Sequence, residues 1–360
     1  MSRIFEKGLL LLCSVFIVSA CSNSSKITLK NKANIERLGV SIILSFQELE
    51  SKCLALNNSS LLIVQDDDKN RIPIQYDDLD NDGKWDEIAF QQDFKPNEEL
   101  VLTFINTDEK YTDNKEKAIK EDVVKCSNAN IEIFIHHNFS EQLIKKEAVF
   151  RKVYLKGMSP FKAKRIEVTS GKLALQKNGE IFRMDSIENI EVISTGKYRT
   201  IVQVDYLPII IDGATYALSE VIQLWEGKSY YDSEVKVKGV NLKDVYVVTV
   251  MGNISSDELK LQKPNSTSTF LYTYNEKYKI EYGLGVFFND ESFKGYGEFS
   301  STANSYSNTY FAKFQPNLGD TLSLRYYIGL EKKFPFKSNK ADSNFHKQRL
   351  LPSKSTIMVL

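Results

Sequence analysis

Ser233–Lys238 reads SEVKVK, with Val235 and Val237 alternating with Glu234, Lys236 and Lys238. This is the period-two signature of a strand with one apolar and one wet face. Thr321–Ile328 (TLSLRYYI) repeats it, placing Leu322, Leu324, Tyr326 and Ile328 on one side and Thr321, Ser323 and Arg325 on the other. Working outward, turn signals join further strands of this kind. Asn178-Gly179 lies between Leu173–Gln176 and Ile181–Met184, and Asp212-Gly213 between Pro208–Ile211 and Ala214–Leu218. Such dipeptides favour the type I′ turn, whose twist matches that of paired strands. Aromatic residues are plentiful, with 18 Tyr and 21 Phe, and helical periodicity is scarce. It is clearest in Ser45–Leu56, where Ser45 and Glu48 are spaced as a capping box and Phe46, Leu49 and Cys53 share one stripe. The expectation is an all-β protein of antiparallel sheets.

The chain has 360 residues, with Lys+Arg 47 against Asp+Glu 47. A formal net charge of zero offers no basic surface for a phosphate backbone, so nucleic acid is not an expected partner. Three histidines and four cysteines exclude zinc-finger arrays and disulfide-dense scaffolds. Arg3 and Lys7 precede the apolar run Gly8–Ala20 (GLLLLCSVFIVSA), which is too short to span a membrane and suits a signal peptide over 1–20. The run ends in Val18-Ser19-Ala20-Cys21, which resembles a bacterial lipobox. Acylation of Cys21 predicts a lipoprotein held at the cell-envelope membrane, with 21–26 as a polar tether. Cys53 and Cys126 then remain, either paired in an oxidising compartment or as separate buried thiols. The charged stretch Asn114–Cys126 (NKEKAIKEDVVKC) predicts a boundary. The expected layout is a small N-terminal β-domain over 27–107, a linker over 108–126, a larger β-sandwich over 127–338 and a partly ordered tail over 339–360.

The sharpest chemical signal is the run from Asp78 to Glu87 (DLDNDGKWDE). Carboxylates at alternate positions, with a glycine at the sixth for a sharp turn, make an oxygen cage of the kind calcium takes. Asp78, Asp80, Asp82 and Asp86 would donate side-chain oxygens and Lys84 its carbonyl. Ala89 stands where an EF-hand would carry its bidentate glutamate, and the alternative is an acidic turn without metal. In Ile131–Phe139 (IEIFIHHNF), strand alternation puts His136 with Glu132 and Phe134 and puts His137 with the isoleucines, so the two cannot share one metal. His136 is either a base with a near-neutral pKa or a solvated side chain. His346 falls in the predicted tail. Between Phe270 and Phe299, Tyr272, Tyr274, Tyr278, Tyr282, Phe287, Phe288 and Tyr296 offer faces for sugar rings, or else the inner face of a sandwich.

Ile27–Val40 (ITLKNKANIERLGV), Leu62–Gln75 (LIVQDDDKNRIPIQ), Asp78–Phe94 and Lys95–Phe104 (KPNEELVLTF) resemble the opening module of a lipoprotein family known as domain of unknown function 4861. Ile190–Tyr206, Tyr216–Val237 (YALSEVIQLWEGKSYYDSEVKV) and Leu322–Gly329 resemble its later strands. The resemblance implies a protein of Bacteroidota polysaccharide-utilisation loci that meets uronic-acid-containing glycans. It also implies a large sandwich like the supersandwiches of mutarotase-like proteins and polysaccharide lyases. Fuller relatives carry a Trp-Glu-Asn-Asp stretch and a histidine-containing loop that 107–179 of this chain lacks, so no active-site residue transfers by position.

Two functions follow as expectations. One is a lyase or dehydratase abstracting a proton beside a uronate carboxylate, for which His136, Tyr198, Arg199 and Tyr231 are the candidate catalytic residues. The other is a non-catalytic glycan-binding surface lipoprotein that needs only an aromatic platform. In either case oligosaccharide or polysaccharide fragments are the expected partners, with Lys197, Arg199 and Lys228 beside strand ends where carboxylates could pair.

Overall fold

The structure, a computed structural model, describes residues 24–52, 56–112, 119–120, 123–136, 151–156, 165–239, 242–252, 259–274, 282–299, 309–317, 319–330 and 357–359. The predicted signal peptide, Cys21, Cys53, His137, Tyr278 and His346 lie outside these residues.

The N-terminal module comprises β1 (Ser24–Asn31), β2 (Arg37–Ser45), α1 (Phe46–Lys52), β3 (Ser60–Gln65), β4 (Arg71–Ile72), β5 (Gln75–Asp77), β6 (Glu87–Phe94) and β7 (Glu99–Lys110). The capping box starts the helix as its spacing predicts. The Glu48 amide donates to Ser45 Oγ at 3.2 Å, and the Ser45 amide donates to Glu48 Oε2 at 3.1 Å. β2, β6 and β5 form one sheet, while β1, β7, β3 and β4 belong to a second. Their apolar faces meet in a single core around Trp85, Phe90, Phe104, Leu44 and Leu49.

Next come β8 (Ile119–Lys120), β9 (Val123–Ser127), β10 (Ile131–His136), β11 (Arg151–Lys156) and β12 (Arg165–Val168), which pair in sequence order. The stretch expected as a linker therefore contributes strands, because Val124 and Cys126 face the sandwich core at alternate positions of β9. They are followed by β13 (Ser170–Lys177), β14 (Glu180–Arg183), β15 (Ile187–Thr195), β16 (Arg199–Tyr206), β17 (Ile209–Ile211), β18 (Ala214–Trp225), β19 (Tyr230–Gly239), β20 (Val245–Gly252), β21 (Lys260–Gln262) and β22 (Ser268–Tyr274). The chain continues with β23 (Tyr282–Asn289), β24 (Phe293–Phe299), β25 (Thr309–Phe314), β26 (Thr321–Leu330) and β27 (Ile357–Val359). β14, β13, β20, β25 and β24 make one sheet. A broad nine-stranded sheet holds β15 to β19, β26 and β21 to β23. Both predicted hairpins form, with φ of 51° and 85° at Asn178 and Gly179 and of 49° and 79° at Asp212 and Gly213, the left-handed pair that a type I′ turn requires.

All strand pairings among the described residues are antiparallel, and the broad sheet packs its inner face on the β8–β12 and β13–β25 sheets through one continuous core. Within the predicted tail, β27 pairs with β1, Leu29 opposite Val359 and Asn31 opposite Ile357, and so completes the module's second sheet.

One inward position of the broad sheet is not apolar. Glu220 occupies the register of Leu218 and Ile222 on β18 and is fully buried. Arg151 reaches it from β11 and forms an ion pair in which both side chains are 0% exposed. Tyr206 donates to Glu220 Oε2 at 2.6 Å and Ser233 to Oε1 at 2.6 Å. Arg151 Nη1 also donates to the Gly171 carbonyl at 2.8 Å. Gly171 sits at a β-bulge with φ +74°, and a Cβ there would lie 2.1 Å from the Tyr231 hydroxyl, so the bulge needs glycine on both counts.

Candidate functional site

Because Leu218, Ile222, Leu224, Tyr231 and Val235 point inward, alternation turns Gln203 of β16, Gln223 and Trp225 of β18, Asp232 and Glu234 of β19, and Ser323 and Arg325 of β26 to the outer face of the broad sheet. The N-terminal module docks on this same face through polar contacts. Arg199 lies at the centre, with its side chain 1% exposed. Its Nε donates to Asp77 Oδ2 at 2.8 Å and its Nη2 to Glu87 Oε2 at 2.6 Å, while its guanidinium lies 5.3 Å over the Trp225 ring. Gln75 completes the joint. Its Nε2 donates to the Arg199 carbonyl at 2.9 Å, and its Oε1 accepts the amides of Tyr198 and Arg199 at 2.8 and 3.0 Å. Ser194 donates to Asp77, Asn81 to Glu191 at 2.8 Å, and Gln91 to the Glu226 carbonyl at 2.9 Å.

Between module and sheet lies a cleft of about 710 Å³. Ser41, Ile43, Leu79 and Glu87 of the module form one wall. The floor and far side carry Gln203, Gln223, Trp225, Asp232, Glu234, Asn265, Thr267, Phe287, Asn289, Ser323 and Arg325. Arg325 is held by Asp232 at 2.6 and 3.0 Å and stacks 4.0 Å over the Tyr230 ring. Beside it, Phe270, Phe287 and Tyr327 form a small apolar cluster, with Tyr272 stacked on Phe270 at 5.2 Å. Glu234 is exposed and has no ion-pair partner among the described residues.

The aspartate loop joins β5 to β6 at the module's docking edge. Asp78, Asp80 and Asp86 each offer a carboxylate oxygen, and these atoms lie within 4.8 Å of one another, an arrangement that can hold a metal. Asp78 is buried and is fixed by the Gly83 amide at 3.0 Å, and Asp86 by the Leu79 amide at 2.7 Å. Burial pushes the Asp86 carboxyl above its usual range; the Leu79 hydrogen bond opposes that, and the charges of Asp80, Asp78 and Asp82 add to it. Asp82, expected as a ligand, turns instead to Lys84, accepting its amide at 2.8 Å and sitting 3.3 Å from its ammonium. Ala89 is buried in β6, whose strand begins at Glu87, which leaves no loop to carry a twelfth-position ligand.

Apart from the consecutive Lys197, Tyr198 and Arg199, the other predicted residues are not brought together. Arg199 is a buried joint between module and sandwich and faces no ligand, because Asp77 and Glu87 already take its donors. Tyr231 is fully buried in the sandwich, stacked on Tyr326 at 4.9 Å and donating to the Ser170 carbonyl at 3.1 Å. Tyr198 packs against the module core, with Lys197 5.4 Å over its ring. His136 ends β10 on the face away from the sandwich core, where burial and nearby Lys152 lower its pKa. Lys228 donates to the Gly39 carbonyl, and burial, with Arg325 and Arg37 nearby, pushes it down to about 8. Cys126 is a free thiol whose burial in the sandwich raises its pKa to about 12. Of the aromatic run, Phe287 lines the cleft, Phe288 and Tyr282 pack on the inner core, and Tyr296 is exposed. Sequence reasoning missed Gln203, Gln223, Asp232 and Glu234. Their one signal is phase: each stands on the wet face of a strand whose other face is apolar.

No curated protein matches the sequence. In fold the chain is similar to two solved structures from Enterococcus faecalis. An alpha-mannosidase has a TM-score of 0.54 at 9% identity, and a protein in the glycosyl hydrolase family 38 has 0.55 at 8%. Each match covers 94% of this chain but 46% and 47% of those chains, so this chain spans about half their length. Residues 29–149 and 168–348 match the family described as Domain of unknown function (DUF4861), and the protein belongs to that family.

Proposed function

We propose that the protein binds an oligosaccharide in the cleft between the module and the broad sheet, as a lipid-anchored protein of the bacterial envelope. The observation that carries this reading is the lining. Amides of Gln203, Gln223, Asn265 and Asn289, hydroxyls of Ser41 and Thr267, and the carboxylate of Glu234 line the cleft together with the half-buried apolar side chains of Ile43 and Leu79. Hydroxyl-rich rings with apolar C–H faces match that mixture. The distant likeness in fold to structures described as an alpha-mannosidase and a glycosyl hydrolase agrees with a carbohydrate-related role. Binding is favoured over elimination chemistry because His136 at the end of β10 and Tyr231 in the sandwich core lie apart from the neighbours Tyr198 and Arg199 at the module joint. Glu87 is paired with Arg199 and Asp232 with Arg325, so Glu234 leaves the lining with one uncompensated negative charge among the described residues, which suits neutral sugars. A uronate-containing chain is the second reading, its carboxylate competing with Asp232 for Arg325. Calorimetry with mannooligosaccharides and oligogalacturonides is expected to give heat with at least one of them. Glu234→Gln is expected to weaken binding about tenfold, the equivalent of one charge-assisted hydrogen bond. Absent heats with both, or wild-type affinity in the variant, would remove the cleft as the binding site.

We further infer that Asp78, Asp80 and Asp86 hold calcium and that the ion stiffens the loop at the module's docking edge. Calcium at about 100 times its dissociation constant is expected to add roughly 2.7 kcal/mol to the stability of the metal-stripped protein. Asp80→Asn is expected to abolish that gain. A melting temperature indifferent to calcium and to chelator would leave the loop an acidic turn.

A further inference from the structure

We propose that the glycan cleft is one end of a longer groove, so that the ligand is an extended chain spanning several sugar units. This rests on the carbohydrate reading of the cleft and specifies the length of its ligand. The carrying observation is continuity. Ser323 and Asn289 line the cleft and also line a second one of about 820 Å³ at the end of the broad sheet. The second cleft is bounded by Glu291 and Lys294 on one side and by Gln315, Asn317 and Asp320 on the other. Its chemistry repeats that of the first, with amides, hydroxyls and both signs of charge, which suits hydroxyl groups better than an apolar ligand.

The walls of this second cleft are held in place by their own hydrogen bonds. The Gln315 amide donates to the Ser292 carbonyl at 2.8 Å, and Gln315 Nε2 donates to the Leu242 carbonyl at 3.2 Å. Asn317 Nδ2 donates to Asp320 Oδ2 at 2.8 Å, closing the loop between β25 and β26. Opposite, Asp290 is fixed by Lys263 at 2.7 Å and Thr269 at 2.5 Å. A preformed wall loses little conformational entropy when a ligand enters, so added sugar units can convert contact into affinity. Beyond Lys294 on β24, Tyr296 is 47% exposed, with its ring nearly parallel to that of Phe293 at 11° and 6.4 Å. An exposed aromatic two residues along β24 from a wall of the second cleft offers a face on which a further sugar ring would stack.

The test compares disaccharides with hexasaccharides of mannooligosaccharides and oligogalacturonides by calorimetry. The hexasaccharide of the series that binds is expected to bind at least about tenfold more tightly than its disaccharide, and Tyr296→Ala is expected to erase most of that difference. Tyr296 is exposed, so its loss is compatible with folding. Equal affinities for the two lengths while Glu234→Gln still weakens binding would overturn the groove alone, as would an unchanged length ratio in Tyr296→Ala. Absence of heat with every oligosaccharide would overturn the carbohydrate reading and the groove with it.

Discussion

Glu220→Ala is expected to lower the stability of the sandwich by about 3–5 kcal/mol, read as a shift in the denaturant midpoint at constant slope. The size follows from what remains. Arg151 is wholly buried among Gly171, Tyr206 and Glu220, and attraction to Glu220 holds its proton well above the ordinary arginine range despite the opposing effect of burial. Without the carboxylate, a guanidinium stays in the interior with only neutral partners, and the hydroxyls of Tyr206 and Ser233 lose their common acceptor. Arg151→Met is expected to cost a similar amount by stranding Glu220. The double variant Arg151→Met with Glu220→Leu is expected to be far less destabilised than the sum of the single losses, because two neutral side chains leave no unpaired charge. Additive losses would show that the two residues act independently and that packing, not charge pairing, sets the cost.

Arg199→Ala is expected to loosen the module from the sandwich at a cost of about 3–5 kcal/mol, since it leaves the fully buried Asp77 carboxylate without its counter-charge. Glu87, a quarter exposed, loses its anchor at the same step. Differential scanning calorimetry is expected to show the melting temperature falling and the module unfolding ahead of the sandwich. Arg199→Lys is expected to recover only part of the loss, because a single ammonium cannot serve Asp77 and Glu87 together with the geometry of a guanidinium fork. An unchanged melting temperature combined with weaker oligosaccharide binding would instead make Arg199 a ligand contact.

Arg199 also shows where sequence reading stops. Its strand, RTIVQVDY, alternates correctly, and the inward positions of β19 and β26 follow the phase of Val235, Val237, Leu322 and Leu324, although Tyr327 on the opposite face is buried in an apolar cluster of its own. Turn chemistry was equally legible at Asn178-Gly179 and Asp212-Gly213, as was the Ser45–Glu48 cap, because each depends on residues a few positions apart. The partners of Arg199 lie in β5 and β6, more than a hundred residues earlier, and a charge on a strand's polar face reads as solvated until the module covers it. The cleft was hidden for the same reason. Asp232 and Glu234 are ordinary wet-face residues until β2 and the aspartate loop supply the opposite wall. Glu220 stands in the register of Leu218 and Ile222, a local conflict that only its partner Arg151, 69 residues earlier on another sheet, resolves. In the aspartate loop, spacing located the cluster but could not show that Asp82 would prefer Lys84 to its fellow carboxylates.

The pairing of β27 with β1 imposes an order in time. β1 and β7 are separated by far fewer residues than β1 and β27, so β7 closes on one edge of β1 before β27 arrives at the other. Throughout that interval β1 presents unpaired amides and carbonyls along the side that β27 will cover, the kind of edge that recruits strands from neighbouring chains. Joining strands this far apart also carries a larger loop-closure entropy than any hairpin in the molecule, which makes it a slow step of assembly. The first sheet begun is thus the last one finished, and newly made protein is most prone to aggregate through its oldest strand.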